Sequence, residues 1–322
     1  MSGLVEGTLL KIVIGGGAGF IGAPLGRALV AMGHKVTAAD NLSTGFRTSR
    51  DKDVELAKGD LDQSRFLVRI FEKLRPDLYV HLAGQKDVSA SWEDPSSDST
   101  HTVGSFLGVL GACRTMTVPR ILLVSTGEVL TPPEGSEDRP LDPLLPIRPL
   151  SPYGASHALC EFYLDSFARF LPIKTTIVRL APVFGPGQTT VGEGGLIGLA
   201  IRQTLLKNSQ NPPAIPGNGR RMRDYIFIDD AVEALLHLII KEKEGVFHVG
   251  SGIPQSDRDI FLALGKVLGS TYPVHYQPAP FPETEVRILG HDRLLMETDW
   301  TMEVPFQEGI SRTVDFFRKA IQ

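Results

Sequence analysis

The first residues that could do chemistry lie in a glycine-rich turn near the start of the chain. Gly16, Gly19 and Gly22 have the spacing G-x-x-G-x-x-G. An acid, Asp40, follows about 20 residues later. Glycines in such a turn let the backbone approach a pyrophosphate closely, and an acid at this distance can accept a hydrogen bond from a ribose 2′-hydroxyl. These residue types at this spacing predict that the chain binds a dinucleotide.

The choice between NAD and NADP depends on the charges beside Asp40. Its carboxylate would repel a 2′-phosphate, which favours NAD. Arg47 and Arg50 lie nearby in the sequence and could pair with that phosphate. The residues themselves therefore favour NAD and leave NADP open.

A strand, a helix and a second strand must hold the glycine turn in place. Lys11 to Ile14 form a short apolar run without alternation, which is typical of a buried parallel strand. Apolar residues recur at helical spacing from Phe20 to Met32, and Gly33 marks the end of that helix. Lys35 to Ala39 then form the second strand, which ends at Asp40. The helix N-terminus would offer free N–H groups and a positive dipole end to a pyrophosphate.

The rest of the N-terminal half continues the alternation of strands and helices. Further strands are predicted at Val54 to Leu61, Leu78 to Ala83, Arg120 to Ser125 and Lys174 to Leu180. Helices are predicted at Ser99 to Arg114 and Pro152 to Phe170, with a proline-rich surface loop at Pro132 to Pro149. Such alternation predicts an α/β fold with a doubly wound parallel sheet.

Glycine and proline cluster after Ala181, and the pattern there predicts a smaller C-terminal lobe. We assign residues 1–181 to the dinucleotide-binding domain, with residues 226–262 returning to it. Residues 182–225 and 263–322 are assigned to the substrate-binding lobe. Asp60 ends the third strand and would lie near the adenine of a dinucleotide, or else cap a helix from Leu61 to Lys73.

The composition bounds the classes of partner. The chain has 322 residues and a formal net charge of −4, which gives no reason to expect nucleic acid or an anionic membrane surface as a partner. No apolar run approaches the length of a membrane span, and the N-terminus lacks a secretory signal pattern. The two cysteines, Cys113 and Cys160, cannot make a disulfide framework or a metal cluster. We expect a cytoplasmic protein without a metal site.

Later stretches carry the remaining candidate chemistry. They are LLVSTGEV at Leu122 to Val129, SPYGASHALCE at Ser151 to Glu161 and RLAPVFGPG at Arg179 to Gly187. With the glycine turn, they resemble the extended short-chain dehydrogenase/reductase family, in its nucleotide-sugar epimerase and dehydratase branch. Gly217 to Ala234 (GNGRRMRDYIFIDDAVEA) resembles the sugar-nucleotide segment of that branch, and Phe247 to Gly252 (FHVGSG) also matches. The resemblance covers nearly the whole chain.

This resemblance implies a mechanism. A tyrosine removes the proton from a sugar hydroxyl while hydride passes to NAD, and the resulting keto-sugar can be epimerised, dehydrated or decarboxylated. By position, the tyrosine is Tyr153 and the partner hydroxyl belongs to Thr126. Glu128 would remove an α-proton, because S-T-x-E-V is typical of the dehydratases and decarboxylases. Gly127 stands where the hexose 4,6-dehydratases often carry the acid that assists the loss of water.

His157 is the largest departure from the family pattern, which has a lysine one helical turn after the tyrosine. That lysine lowers the tyrosine pKa, which is about 10 for a free phenol. Forming the phenolate at neutral pH requires a stabilisation of roughly 4 kcal/mol. A histidine is mostly neutral at about pH 7. His157 is then either a weaker substitute in a working enzyme, which we favour, or a sign that only binding remains.

The resemblance also implies the binding residues, including Gln85, which the fourth strand delivers to the cofactor beside His81. Cofactor contacts are expected at Gly16, Gly19, Phe20, Ile21, Gly22, Asp40, Asn41, Asp60, Leu61, Leu82, Ala83, Gln85, Tyr153 and His157. Substrate contacts are expected at Lys86, Thr126, Gly195, Leu196 and Arg223, of which Arg223 would meet a phosphate. A family asparagine and a family arginine are replaced by Pro182 and Pro282. Arg287 or Arg293 could compensate for the missing arginine.

The sequence therefore predicts an NAD-dependent nucleotide-sugar epimerase or dehydratase that acts through a transient keto-sugar. By resemblance it forms a homodimer through the helices at Ser99 to Arg114 and Pro152 to Phe170. The alternatives are a nucleotide-sugar decarboxylase, a one-way ketoreductase, and a protein that binds NAD and nucleotide without turnover.

Overall fold

The fold follows the predicted alternation of strands and helices. A computed structural model describes residues 8–45, 48, 51–136, 139–188, 195–205, 214–269, 275–278, 281 and 284–321. The first elements are β1 (Lys11–Gly15), α1 (Gly22–Ala31), β2 (Lys35–Asp40), β3 (Glu55–Lys58), α2 (Ser64–Leu74), β4 (Leu78–His81), α3 (Val88–Glu93), α4 (Pro95–Ser99), α5 (Ser105–Met116), β5 (Arg120–Thr126), α6 (Pro152–Ala168) and β6 (Lys174–Leu180). The later elements are β7 (Val183–Phe184), α7 (Gly195–Leu205), β8 (Ala214–Pro216), β9 (Met222–Asp224), β10 (Ile226–Phe227), α8 (Ile228–Ile240), β11 (Gly245–Val249), β12 (Pro254–Ser256), α9 (Asp257–Leu268), β13 (His275–Gln277), β14 (Val286–Arg287), α10 (Asp292–Glu297) and α11 (Phe306–Ile321).

The main sheet has seven strands in the order β11-β6-β5-β4-β1-β2-β3, and all neighbouring strands pair in parallel. The strand order reverses between β1 and β4. In such sheets, ligands bind beyond the carboxyl ends of the strands at this reversal. The predicted doubly wound parallel sheet is confirmed, and the reversal places the glycine turn after β1 at the expected crevice.

Apolar residues bury both faces of the sheet. Ile12 and Ile14 pack on one face with leucines of α1 and α8, whereas Val13 packs on the other face with residues of α2, α5 and α6. All three strand residues are at most 1% exposed. Burial on both faces explains the continuous apolar run of β1.

The predicted helix at Ser99 to Arg114 is interrupted. α4 ends at Ser99, a single π-helical turn covers Thr100–Gly104, and α5 begins at Ser105. The turn has the sequence THTVG, whose β-branched residues and glycine weaken α-helical geometry. The wider turn buries Thr102 and Val103, and such turns often occur at functional sites.

The third strand and the following helix are also shorter than predicted. β3 covers Glu55–Lys58, and α2 begins only at Ser64 without a side-chain cap. Asp60 therefore does not cap this helix, and that alternative is wrong. Its Oδ1 instead accepts a hydrogen bond of 2.8 Å from Nδ2 of Asn41.

Short strands build the C-terminal region, where β9 pairs antiparallel with β12 and parallel with β14. Buried Asp224 at the end of β9 accepts hydrogen bonds from Ser251 N, Gly252 N and Leu289 N. Burial raises the pKa of this carboxyl group, although these bonds oppose the rise.

β11 joins the main sheet beside β6, as predicted; the division into two lobes stays a prediction. Among the described residues, no helix is both long and apolar enough to span a bilayer.

Candidate active site

The glycines of the turn have different roles. Gly16 has a φ of 76°, and a Cβ atom there would lie 2.8 Å from the backbone nitrogen of Ala83. A Cβ atom at Gly22 would lie 2.3 Å from the carbonyl oxygen of Gly16. At Gly19, by contrast, the nearest atom would be that oxygen at 3.2 Å, with nothing else within 4 Å. Gly16 and Gly22 thus permit close packing, whereas Gly19 leaves its side of the turn open to a ligand.

The N-terminus of α1 completes an anion-binding cradle at residues 19–22. The helix has no side-chain cap and no acid in its first turn. Phe20 and Ile21 lie between the open face of Gly19 and the first residue of the helix. Backbone N–H groups and the helix dipole favour a pyrophosphate at such a position, so the cradle fits a dinucleotide.

Asp40 ties the turn to the end of β2. Its Oδ2 accepts a hydrogen bond of 2.9 Å from Ala18 N, and its Oδ1 accepts one of 2.8 Å from Leu42 N. The residue is 7% exposed. These bonds hold the carboxylate at the carboxyl end of the sheet while each oxygen keeps a lone pair for a ribose hydroxyl.

Asn41 and Asp60 lie next to Asp40 and are bonded to each other through their side chains. Leu61, which follows, is 7% exposed and packs in the core. The structure therefore brings the predicted ribose and adenine contacts together at the ends of β2 and β3. The alternative based on Arg47 and Arg50 lies outside the described residues.

The loop after β4 passes directly beside the glycine turn. Leu82 N donates to the carbonyl oxygen of Gly15 at 2.8 Å, and Ala83 contacts Gly16 as described above. Gln85 N donates to Oγ1 of Thr102, in the π-helical turn, at 3.2 Å. Lys86, the next residue, is exposed. Leu82 and Ala83 thus lie beside the glycine turn and Gln85 contacts the π-helical turn, while their contacts with a cofactor stay a prediction.

Thr126 and Tyr153 meet at the same edge through a close backbone contact. Thr126 ends β5, is 9% exposed, and its Oγ1 accepts a hydrogen bond of 3.1 Å from Glu128 N. A Cβ atom at Gly154 would lie 2.5 Å from the carbonyl oxygen of Glu128, so α6 begins against the short 3₁₀ turn Gly127–Val129. Tyr153 N donates to Oγ of Ser91 on α3 at 3.1 Å.

His157 packs against Tyr153, with the ring centroids 4.6 Å apart. Burial lowers the pKa of His157 to about 4, and a hydrogen bond with the backbone of Gln85 opposes this only in part. The imidazole is therefore neutral at about pH 7. It cannot supply the positive charge that a lysine would place beside the tyrosine.

His81 lies next to this pair on β4. Its Nδ1 is 3.2 Å from the hydroxyl of Tyr79. Burial, with a contribution from His157, lowers the pKa of His81 to about 3. The Nε2 atoms of His81 and His157 are both buried and have no hydrogen-bond partner among the described residues. Buried polar atoms are rarely left unpaired, so these two suit the polar groups of a cofactor.

Glu128 forms an ion pair with Arg287 of β14. Nε of Arg287 also donates to the carbonyl oxygen of Leu130 at 3.2 Å, and its side chain is 5% exposed. Glu128 is thus held by a cation rather than presented as a free base. A Cβ atom at Gly127 would lie 3.0 Å from Cδ2 of Leu289, which leaves little space for an acid there.

The other predicted cations have mostly structural partners. Nη1 of Arg223 donates to the carbonyl oxygens of Met222 and Thr284, at 2.9 Å each. Nη1 of Arg293 donates to the carbonyl oxygen of Val246, near the amino end of β11 and opposite to the cofactor edge. Arg293 as a substitute for the missing family arginine is therefore wrong. Pro282 lies outside the described residues.

Gly195 and Leu196 begin α7, and Leu196 packs partly against the core. Sequence reasoning did not identify Ser91 or Thr102, which hold the backbones of Tyr153 and Gln85. Both are small polar residues in helices, and only the contacts between distant segments reveal their roles.

The chain is similar to known proteins over nearly its whole length. The model of the NAD dependent epimerase/dehydratase family matches residues 12–250. A UDP-glucose 4-epimerase of Mycolicibacterium smegmatis is 30% identical, over 97% of this chain and 100% of that protein. The structure of a Thermus thermophilus UDP-glucose 4-epimerase in complex with NAD has a TM-score of 0.86 and 32% identity, and covers 97% of this chain and 100% of its own. The structure of a UDP-glucose 4-epimerase of Thermotoga maritima with UDP-glucose has a TM-score of 0.87 and 29% identity. It covers 97% of this chain and 100% of its own.

The lowered pKa of His157 predicts a pH-dependent stability. Between about pH 6.5 and about pH 4, the unfolded chain binds a proton at this histidine whereas the folded chain does not, so wild-type stability falls as the pH falls. His157→Gln removes this contribution. From about pH 7.5 to about pH 4.5, the wild type should lose about 2 kcal/mol more unfolding free energy than the variant. Chemical denaturation at both pH values measures this difference.

Exposed His275 supplies the matched control. His275→Gln should follow the pH dependence of the wild type. Identical pH dependence in the wild type and His157→Gln would show that the imidazole is not held neutral in the folded protein.

Proposed function

Because the chain belongs to the NAD-dependent epimerase/dehydratase family, we propose that it inverts C4 of a nucleotide sugar through a transient 4-keto-sugar. NAD is the cofactor. The observation that carries the choice of reaction is the turn Gly127–Val129, which offers no free acid beside Thr126 and Tyr153.

Tyr153 and Thr126 handle the proton of the sugar hydroxyl. Tyr153, as phenolate, takes that proton and later returns it. Thr126 Oγ1 already accepts from Glu128 N, so its own proton is available to the sugar oxygen. When bound, NAD would supply the hydride acceptor for the sugar carbon and the hydride for its reduction. The cradle at residues 16–22, Asp40, Asn41, Asp60 and the loop at residues 82–85 hold the cofactor.

Two features disfavour dehydration. Loss of water needs an acid near the leaving hydroxyl, and Gly127 has no side chain and little space for one. Removal of an α-proton needs a free carboxylate, and Arg287 neutralises Glu128. In this ion pair the carboxylate of Glu128 is already bound by the buried guanidinium of Arg287. Return of the hydride to the opposite face of C4, which gives epimerisation, needs neither group.

His157 supports Tyr153 as a neutral group. An imidazole whose pKa is about 4 is a weak base. It does not hold a proton taken from a phenol at neutral pH. We therefore assign His157 to packing against the tyrosine ring and to hydrogen bonding with the cofactor through its unpaired Nε2. Tyr153 then remains a harder group to ionise than in a site with lysine.

The substrate is proposed to be a UDP-hexose, because the relatives described above are UDP-glucose 4-epimerases. Its contacts are proposed at Lys86, Thr126, Gly195, Leu196 and Arg223. A cytoplasmic location is proposed as well, since Cys113 and Cys160 are both buried and free. Turnover with release of oxidised cofactor would instead indicate a ketoreductase.

Proton NMR with UDP-glucose and UDP-galactose in D2O tests the reaction. We expect interconversion of the two sugars without deuterium uptake at carbon, because the hydride returns from the cofactor. Tyr153→Phe should lower the rate by at least about 10²-fold, the usual loss on removing an acid–base group. Deuterium at C5 with a new methyl signal would show dehydration and contradict the proposal.

Tyr276→Phe serves as the control, because Tyr276 on β13 is a tyrosine that is 55% exposed. Its rate should equal that of the wild type. If neither UDP-sugar nor any dTDP-, GDP- or CDP-sugar reacts while NAD remains bound, the protein binds without turnover.

His157→Lys should raise turnover at about pH 7, since an ammonium beside the phenol lowers its pKa. We expect a gain of about tenfold, and a rate plateau reached at lower pH than in the wild type. His157→Met, which adds no charge, should not show this gain. An unchanged pH profile in His157→Lys would show that charge at this position does not limit the reaction.

The apolar faces of α5 and α6 support the proposed homodimer. Leu107 on α5 and Leu159, Phe162 and Tyr163 on α6 are each at least 39% exposed. Leu159 and Phe162 stand three residues apart and so lie on one side of their helix. Pairing of this face with its copy would bury large apolar side chains that water otherwise contacts.

The double variant Leu159→Lys, Phe162→Lys should convert the dimer to a monomer, since burying two ammonium groups without partners opposes association. Sedimentation velocity measures the change. Leu262→Lys on α9, where the leucine is 53% exposed, should leave the dimer intact. A dimer that persists in the double variant would place the interface elsewhere.

A further inference from the structure

A stacked aromatic pair connects α3 to the C-terminal region. The rings of Trp92 and Phe281 are nearly parallel, with centroids 5.4 Å apart and an interplanar angle of 8°. Trp92 lies on α3, which follows the cofactor loop, and Phe281 shortly precedes β14. Both side chains are partly buried. The stack holds the indole in one orientation between the two parts of the fold.

The indole N–H of Trp92 is left unpaired. Its Nε1 is buried and has no hydrogen-bond partner among the described residues. Nε1 of Trp300, the other tryptophan, donates to the carbonyl oxygen of Asp230 at 3.0 Å. An indole N–H can only donate, and burying it without an acceptor is unfavourable. A ligand with an acceptor oxygen would satisfy Trp92 as Asp230 satisfies Trp300.

The pair lies beside the catalytic residues. Ser91, the neighbour of Trp92 on α3, accepts the hydrogen bond from Tyr153 N. Phe281 belongs to the segment that continues into Arg287, which pairs with Glu128. The stack and this ion pair therefore lie next, along the chain, to groups that hydrogen-bond with Tyr153 and Thr126.

Cationic residues lie on chain segments next to those that carry this pair. Lys86 is exposed in the loop that leads into α3, and Arg223 and Arg287 lie on neighbouring strands of the C-terminal region. A donor in such surroundings suits an anionic acceptor, and hydrogen bonds to charged oxygens are the stronger ones. The diphosphate is the anionic part of a nucleotide sugar.

We propose that Trp92 is a substrate-binding residue whose indole N–H donates a hydrogen bond to a diphosphate oxygen of the nucleotide sugar. This inference rests on the proposed function for the identity of the ligand. Phe281 is a positioning residue, since it holds the indole plane by stacking. The contact fixes the diphosphate relative to α3, and through Ser91 relative to Tyr153.

Trp92→Phe tests the hydrogen bond, because it keeps an aromatic ring against Phe281 and removes only the N–H and the second ring. Isothermal titration of the NAD-loaded protein with UDP, dTDP, GDP and CDP measures binding without any need for turnover. For the diphosphates that bind, we expect the dissociation constant to rise about tenfold. Binding of the matching nucleoside should change less than twofold.

Phe281→Leu supplies the matched variant, since it keeps the indole N–H and removes the stack. It should weaken diphosphate binding less than Trp92→Phe. Tryptophan fluorescence offers a second measurement: bound diphosphate should change the emission of the wild type but not of Trp92→Phe, where only buried Trp300 remains. Circular dichroism confirms that each variant is folded.

Equal dissociation constants for Trp92→Phe and the wild type would overturn the contact, as would a wild type that binds none of the four diphosphates. The NMR assay with UDP-sugars decides the proposed function separately. A tenfold loss of binding without sugar turnover would keep the role of Trp92 and contradict epimerisation.

Discussion

The close backbone approach between the glycine turn and the loop after β4 is the constraint on which the rest of the site depends. A Cβ atom at Gly16 would collide with Ala83 N, so the two segments can meet only where one residue lacks a side chain. The same loop continues to Gln85, which contacts Thr102 and the ring of His157. One steric condition at the strand reversal thus positions both the proposed cofactor cradle and His157, the group beside Tyr153.

A neutral imidazole beside the tyrosine changes the energetics of the family mechanism without changing its geometry. His157 lies one helical turn after Tyr153, so the two rings pack against each other. Burial, however, disfavours the charged form of the imidazole. When bound, the oxidised cofactor, whose ring is cationic, would supply positive charge to a phenolate at Tyr153. Ionisation of Tyr153 and cofactor binding should consequently be coupled more tightly than in a site with lysine.

Sequence patterns predicted the features that depend on neighbours along the chain. The glycine turn, Asp40 and the parallel sheet follow from local spacing, and the resemblance to the nucleotide-sugar epimerase and dehydratase branch is confirmed by the family match. The ion pair between Glu128 and Arg287 joins residues 159 positions apart, and no periodicity could reveal it. The π-helical turn was missed because its residues form a helix in any local reading, and only tertiary contacts select the wider form.

The contacts between the two parts of the fold explain why a substrate would matter to the geometry of catalysis. The ion pair of Glu128 with Arg287 and the stack of Trp92 with Phe281 each join the N-terminal half of the chain to residues in or near β14. Each contact has one member on an element that also touches a catalytic residue: Glu128 N bonds to Thr126, and Ser91, beside Trp92, bonds to Tyr153. A ligand that changes the ion pair or the stack would therefore act on Thr126 or Tyr153 through one hydrogen bond. The free energy of binding the nucleotide can in this way be used to align the sugar with Tyr153.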